Sequence, residues 1–207
     1  MHLRKQVLFC SVIDNAVILL LLKLHRRYLT FPFPHAIIKQ NEQEEINMPF
    51  LYYTLFAIAI VVVDQITKLL TVANIALHQG VPFIPGLLQL TFVQNTGAAF
   101  SSFEGQQWLF AVVFTVFTGM ILYEYFKKPM PFTKLERWCI AAIYGGGLGN
   151  MIDRVRLGYV VDMIETTFIE FPVFNVADIF ITCGCFLMMA HLFLFNKEFW
   201  KEEKKAS

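Results

Sequence analysis

The chain has 207 residues, of which 57% are apolar and 16% are charged, and its mean hydropathy is +0.55. A soluble domain averages about 45–50% apolar and about 25% charged residues, so this composition excludes an ordinary soluble enzyme and indicates a polytopic membrane protein. The formal net charge of +1 supplies no basic surface for a phosphate backbone, so nucleic acid is not an expected partner.

The N-terminal segment does not fit a membrane-spanning helix. Its apolar stretch 7–24 is interrupted by an aspartate, an asparagine and a lysine, and a central aspartate alone costs roughly 2.5–3.5 kcal/mol of insertion free energy. No small-residue cleavage site follows, as a secretory signal peptide requires. Because Met48 directly precedes the first good apolar run, we predict that 1–47 is an extension upstream of the true start and that 48–207 is the functional domain.

Four later apolar runs are each about long enough to cross a ~30 Å hydrocarbon layer as a helix. These predicted spans are 50–70, 108–126, 138–152 and 177–195. Lys and Arg are concentrated in the link between the second and third runs and in the C-terminal tail, and short basic segments stay in the cytoplasm. Both termini are therefore predicted to be cytoplasmic.

The segment 71–107 contains no Lys or Arg, so it is predicted to lie on the outer side. Pro82, Pro85 and Gly86 interrupt it, and the alternating run LLQLTFV precedes a turn-like stretch at 95–97. The predicted fold class is therefore an all-α membrane protein, a four-transmembrane-helix bundle with a small β-rich extracytoplasmic platform. Such a platform could clamp an extended peptide by pairing at a strand edge.

The cysteines do not form the pattern of a disulfide framework or a zinc site. All four lie in apolar runs, where small packing residues are expected. They are Cys10, Cys139, Cys183 and Cys185.

Ionisable side chains within or beside membrane helices are candidate functional residues, because their desolvation is costly. Asp64 and Lys68 lie four residues apart near the outer end of the first span, where a structural ion pair is the simpler interpretation. At the end of the third run, Asn150, Asp153 and Arg154 follow glycines that permit close helix packing. The Arg154 guanidinium is suited to a carboxylate or a peptide carbonyl.

Chain direction brings Asp162 and Asp178 to the outer end of the bundle, where they can meet. Two neighbouring carboxylates share one proton and can act as acid and base. The simpler alternative makes Asp178 a helix N-terminal acid and Asp162 a solvated loop residue. A metal site would add Asp153 and Glu165, but zinc favours nitrogen and sulfur ligands, and neither a metal nor a cofactor is predicted.

Five motifs in this order resemble the bacterial lipoprotein signal peptidases, also called signal peptidase II. The motifs are DQITK at 64–68, NTGAAF at 95–100, GNMIDR at 149–154, VVDM at 160–163 and FNVAD at 174–178. The resemblance implies an aspartic endopeptidase of the bacterial cytoplasmic membrane, with its active site near the outer face. Its substrates would be prolipoproteins, cut just before a cysteine that carries diacylglycerol, and the cyclic peptide globomycin would inhibit it.

The same resemblance assigns roles to residues. Asp162 and Asp178 match the catalytic pair. The residues that match substrate-positioning or supporting positions are Asn95, Asn150, Arg154, Asn175, Asp64, Lys68, Asp153 and Gly97. Met163 departs from the family, which more often has Phe there, but Met is soft and apolar enough to fill the place.

An alternative from another class is a small membrane transporter or proton-relay subunit with its acids along a polar path. A relay needs carboxylates throughout the membrane depth, whereas these acids cluster at one face, which favours the peptidase. A purely structural helix bundle would leave the polar cluster unexplained. Membrane lipid is the expected surrounding, and a monomer is the simplest assembly.

Overall fold

The computed structural model of the chain describes residues 42–97, 107–126 and 132–194. Within them lie four α-helices and three β-strands. In chain order these are α1 (Glu42–Asn74), β1 (Gly80–Ile84), β2 (Leu88–Asn95), α2 (Gln107–Phe126), α3 (Lys134–Leu157), β3 (Val160–Thr166) and α4 (Val176–Leu194). The predictions made for Cys10, for the rest of 1–41, and for the basic residues at 127–128 and in the tail after Leu194 lie outside the described residues.

Apolar helices dominate the described part, as predicted. The segments Phe50–Asn74 and Val176–Leu194 are long and apolar enough to cross a membrane by length and composition, and Phe110–Tyr123 is a shorter apolar helical segment. The outward side of α1 is covered by large exposed apolar side chains, which suit a lipid surface better than water. They include Leu51, Leu55, Ile58, Val62, Ile66 and Leu69. α1 begins at Glu42, so the domain boundary predicted at Met48 falls inside a helix.

Helix α3 packs between α1 and α4 through glycines. A Cβ built on Gly145 would lie 2.8 Å from the backbone oxygen of Ala57 in α1, and one on Gly146 would lie 2.5 Å from that of Ala177 in α4. Since real Cβ atoms essentially never approach so closely, any larger residue would push the helices apart. The packing role predicted for these glycines is confirmed, and it brings the middle of α3 close to α1 and to the first turn of α4.

The three strands form one antiparallel sheet in the order β1, β2, β3. Strand β3 was not predicted, because its sequence VVDMIET was interpreted only as a connection between two helices. On one face of the sheet, Phe92 of β2 forms a buried cluster with Val161 and Met163 of β3. Met163, the departure from the family pattern, is 3% exposed and fills this core.

A β-bulge in β2 sets which side chains share a face with Asp162. Leu90 pairs with Ile164, but beyond the bulge Val93 pairs with Asp162 and Asn95 with Val160. Two residues of β2 therefore oppose the single residue Met163 of β3. Because side chains alternate along a strand, the extra residue puts Asn95 on the same face as Asp162 instead of the opposite one.

Candidate active site

The two predicted catalytic aspartates reach one place from different elements. Asp162 lies in the middle of β3 and is 2% exposed, whereas Asp178 lies in the first turn of α4 and is partly exposed. Asn175 contacts both carboxylates. Its side-chain Nδ2 donates to Asp162 Oδ1 at 2.7 Å, and its backbone N–H donates to Asp178 Oδ2 at 3.1 Å. The alternative that Asp162 is a solvated loop residue is wrong, because the side chain is buried in a strand.

Asn175 also caps the N-terminal end of α4, which begins at Val176. Its Oδ1 accepts a hydrogen bond from the backbone N–H of Asp178 at 2.9 Å, while Asp178 accepts one from the backbone N–H of Asn175. This reciprocal exchange is a capping box, which satisfies helix N–H groups that have no partner within the helix. Because the amide oxygen is committed to the cap, the amide NH₂ must face Asp162. Asp178 is thus a helix N-terminal acid, as the simpler interpretation proposed, and also a neighbour of a second acid.

Two further asparagines complete the hydrogen bonds of the pair. Asn95 Nδ2 donates to Asp162 Oδ2 at 2.8 Å, and Asn150 Nδ2 donates to Asp178 Oδ1 at 2.8 Å. Each of the four carboxylate oxygens therefore accepts from an asparagine. These neutral donors orient both side chains without introducing a formal charge next to either of them.

The surroundings of Asp162 favour its protonated form. Burial raises its pKa, the nearby Asp178 carboxylate raises it further, and the result is about 7. The hydrogen bonds from Asn95 and Asn175 and the charge of Lys68 act in the opposite direction, because each stabilises the carboxylate. Near neutral pH the pair can therefore hold one proton and one negative charge, and it titrates as a unit.

A buried ion-pair cluster lies directly behind the pair. Lys68 is 2% exposed, and its Nζ lies 2.8 Å from Asp64 Oδ2 and 3.0 Å from Asp153 Oδ2. The same Nζ donates to Asn150 Oδ1 at 2.9 Å. The predicted ion pair between Asp64 and Lys68 is confirmed, and it extends to a second carboxylate and to an asparagine that holds Asp178.

Gln65 belongs to this cluster and was missed in the sequence. Its Nε2 donates to Asp153 Oδ1 at 2.9 Å and to the backbone oxygen of Gly149 at 3.1 Å. The available signal was the position of this amide in the motif DQITK, immediately after Asp64. From the sequence, roles are predicted only for the ionisable residues of that motif.

Arg154 lies at the edge of the site. Its guanidinium donates to the backbone oxygens of Asn150 at 3.4 Å and of Gly97 at 3.5 Å, and its Cζ lies 4.4 Å from the centre of the Phe110 ring. Asn95 Oδ1 in turn accepts from the backbone N–H of Gly97 at 3.1 Å. Arg154 therefore links α3 to α2 and to the turn after β2.

Of the four acids considered as metal ligands, Asp162 and Asp178 come together, but Asp153 and Glu165 have other partners. Asp153 is engaged by Lys68 and Gln65, and Glu165 accepts a hydrogen bond from Gln89 at 2.7 Å. Among residues 42–97, 107–126 and 132–194, no group of three or more His, Cys, Asp or Glu side chains is arranged to hold a metal ion. The described cysteines Cys139, Cys183 and Cys185 are free thiols.

Buried acids, amides and a lysine at a common end of apolar helices mark a functional site within or beside a membrane. The sequence model of the Signal peptidase (SPase) II family matches residues 56–194. The lipoprotein signal peptidases of Streptococcus pyogenes serotype M1 and serotype M5 (strain Manfredo) are each 42% identical to this chain over 154 residues. The alignments cover 73% of this chain and 94% of each relative. The chain belongs to the signal peptidase II family, whose members cleave the signal peptides of lipoproteins, and that is its function.

Solved structures agree with this assignment. Two structures described as a bacterial membrane enzyme, determined by the in meso method at 2.3 and 1.9 Å, are 29% and 30% identical to the chain. Their TM-scores are 0.63 and 0.62. The matches cover 71% and 70% of this chain and 90% and 94% of those chains. The family is thus one of bacterial membrane enzymes, and the comparisons do not support a transporter or a proton-relay subunit.

Proposed function

We propose that the chain is an aspartic endopeptidase that cuts prolipoproteins immediately before a diacylglyceryl-modified cysteine, with Asp162 and Asp178 as its catalytic pair. One observation carries the proposal: the single residue Asn175 donates to both carboxylates, one buried in a strand and one at a helix end. The raised pKa of Asp162 supports it further, because a shared proton supplies an acid and a base at the same pH.

In the proposed reaction, the ionised carboxylate accepts a proton from a water molecule as that water attacks the scissile carbonyl. The protonated carboxylate polarises the carbonyl and then supplies a proton to the departing amine, which leaves as the new N-terminus at the cysteine. Asn95 and Asn150 keep the two carboxylates aligned throughout, since each donates to one of them at 2.8 Å. The pair ends the cycle with one proton, as it began.

The arrangement of the helices supports a position near the outer membrane surface. We propose that α1 to α4 all span the bacterial cytoplasmic membrane, with both termini in the cytoplasm and the sheet outside as a platform. The acids of the site lie near the end of α3 that leads into β3, and β1 and β2 come from the segment 71–107, which contains no Lys or Arg. A prolipoprotein with a transmembrane signal helix and a lipid-anchored cysteine would present its scissile bond at this level.

The edge of the sheet beside the site is β3, and it is already engaged, because Val161 donates to Asp153 at 3.1 Å and Ile164 forms a bridge with Phe174. The other edge strand, β1, is separated from β3 by β2. We propose that the segment 71–107 clamps an extended substrate, as predicted from the sequence, and that globomycin competes with the substrate for the same cleft.

The proposal is tested by changing each aspartate to asparagine and assaying cleavage of a diacylglyceryl-modified precursor in detergent micelles. Asp162→Asn and Asp178→Asn should each lower kcat by roughly 10²–10⁴-fold, because a neutral amide cannot exchange protons. Glu165→Gln is the matched control on the same strand and should stay within about threefold of the wild type. Near-normal cleavage by either aspartate variant would overturn the assignment of the pair.

We also propose that 48–207 suffices as a monomeric peptidase. The first side chain of the described site is Asp64, and the family match begins at residue 56, which supports this boundary. Deleting 1–47 should leave the cleavage rate of the membrane-inserted protein within about twofold of the full chain. A folded, inserted variant that has lost cleavage would show that the extension takes part in the function.

A further inference from the structure

We propose that Asp64, Lys68 and Asp153 form a positioning frame that sets the separation of the two catalytic aspartates. The inference rests on the proposed function and deepens it. These three residues do not touch the proposed reaction centre directly. Asp64 and Asp153 hold the backbone next to the two members of the catalytic pair, and the Lys68 ammonium group joins their carboxylates.

The frame contacts the backbone in the same way on both sides. Asp64 Oδ1 accepts from the backbone N–H of Ala177 at 2.9 Å, and Ala177 immediately precedes Asp178. Asp153 Oδ2 accepts from the backbone N–H of Val161 at 3.1 Å, and Val161 immediately precedes Asp162.

Both backbone groups need a partner outside their own element. The N–H of Ala177 belongs to the first turn of α4, where a helix has no carbonyl to offer. The N–H of Val161 is directed at a carboxylate on α3. Because a buried N–H without a partner is costly, these two contacts fix where β3 and α4 begin relative to α1 and α3.

Lys68 joins the two halves of the frame. Its Nζ lies 2.8 Å from Asp64 Oδ2 and 3.0 Å from Asp153 Oδ2, and all three side chains are at most 3% exposed. Two buried carboxylates would repel one another without a cation between them. Lys68 also donates to Asn150 Oδ1, which directs the NH₂ of Asn150 toward Asp178. The ammonium therefore acts on Asp178 by two routes, through Asp64 and Ala177 and through Asn150.

The Asp64 carboxylate of the frame fits against α3 because residue 149 is a glycine. A Cβ built at this position would lie 2.6 Å from Asp64 Oδ2. Gly149→Ala therefore displaces the Asp64 carboxylate and leaves every charged group of the site in the chain. The same substitution at Gly119 in α2 is a matched control, because a Cβ there meets nothing within 4 Å.

The experiment measures kcat, KM and the pH profile of kcat/KM on a diacylglyceryl-modified precursor. Gly149→Ala and Lys68→Met should each lower kcat by about 10- to 100-fold with KM within about twofold, since a misplacement on the order of 1 Å costs that much. Gly119→Ala and Lys134→Met, the latter at an exposed position, should stay near wild type.

The pH profile separates positioning from general stability. The charged groups around the pair are Asp64 and Lys68 on α1 and Asp153 and Arg154 on α3. Removing the Lys68 charge raises the pKa of Asp162, so the alkaline limb of Lys68→Met should move to higher pH. Lys68→Arg retains the charge but changes the geometry, so its kcat should fall while the limb stays in place.

Each outcome has a defined meaning. Wild-type kcat in folded Gly149→Ala and Lys68→Arg protein would overturn the frame, as would losses fully explained by a smaller folded fraction at the assay temperature. If Lys68→Met does not fold, Gly149→Ala and Lys68→Arg decide the question. Cleavage by Asp162→Asn would instead refute the proposed function, whereas inactive aspartate variants beside fully active frame variants would refute the frame alone.

Discussion

The N-terminal ends of α3 and α4 have the same local arrangement in different surroundings. At α3, Thr133 Oγ1 accepts from the Glu136 N–H at 3.3 Å and Glu136 Oε2 accepts from the Thr133 N–H at 2.7 Å. At α4, Asn175 and Asp178 exchange the equivalent bonds at 2.9 and 3.1 Å. Each capping box therefore places a carboxylate three residues after the cap, with one oxygen bound and the other directed elsewhere.

The second oxygen distinguishes the two ends. Glu136 Oε1 lies 3.3 Å from His191 Nδ1, a group that can neutralise it. Asp178 Oδ1 accepts from Asn150, and the neighbouring group is another acid, Asp162. An acid beside a histidine can form an ion pair, whereas two acids must share a proton to be stable together. The helix cap fixes the position of the carboxylate. The group beside its second oxygen determines whether that carboxylate has a structural role or can take part in proton transfer.

The largest effect that would test this comparison is expected from a substitution at the α4 cap that keeps the capping oxygen. Asn175→Ser keeps a capping oxygen but loses the NH₂ that holds Asp162, so kcat should fall about 100-fold. Because Asn175 is fully buried, the unfolding free energy should also fall, by about 1–3 kcal/mol. Thr133→Ala should instead lower only the unfolding free energy, by about 1 kcal/mol, with kcat within about twofold. Kinetics on the lipidated precursor and thermal unfolding in the same detergent measure both.

Two outcomes would contradict that interpretation. Wild-type kcat in Asn175→Ser would mean that the cap alone orients the pair. An equal loss of kcat in Thr133→Ala would mean that the two helix ends are not functionally distinct.

The helices could be predicted from the sequence, but part of the sheet could not. Long apolar runs specify membrane helices because a helix satisfies its own backbone groups wherever it lies. Strand β3 is seven residues long and has an aspartate at its third position, so neither alternation nor apolar length marked it. The bulge opposite Met163 is also invisible in the sequence, because it depends on how β2 and β3 pair.

The candidate site could likewise be predicted only in part. The motifs named the acids and asparagines, and their chain order placed Asp162 and Asp178 at one end of the bundle. The double role of Asn175 and the contact of Gln65 with Asp153, 88 residues away, could not be predicted. Both depend on which atom of an amide faces which neighbour, and that is decided by tertiary packing.

The smallest effect that would sharpen the comparison is a shift in the pH dependence of kcat/KM. Burial and the Asp178 carboxylate raise the pKa of Asp162 to about 7, so kcat/KM should fall as pH rises through that value and the pair loses its shared proton. The unfolding free energy should fall as pH rises from the ordinary carboxyl pKa of 3.8 to about 7 and should level off above that, because over this interval the folded state keeps a proton that the unfolded state has already released.

Asn95→Ala removes a hydrogen bond that stabilises the Asp162 carboxylate and lowers its pKa. The pKa should therefore rise, and the alkaline limb of kcat/KM should move upward by several tenths of a pH unit. Gln94→Ala, at the exposed neighbouring position, is the matched control and should leave the limb in place. An unchanged limb in Asn95→Ala would mean that Asp162 does not control the alkaline limb. The acid at the α4 cap would then differ from Glu136 only in its geometry, and not in sharing a proton.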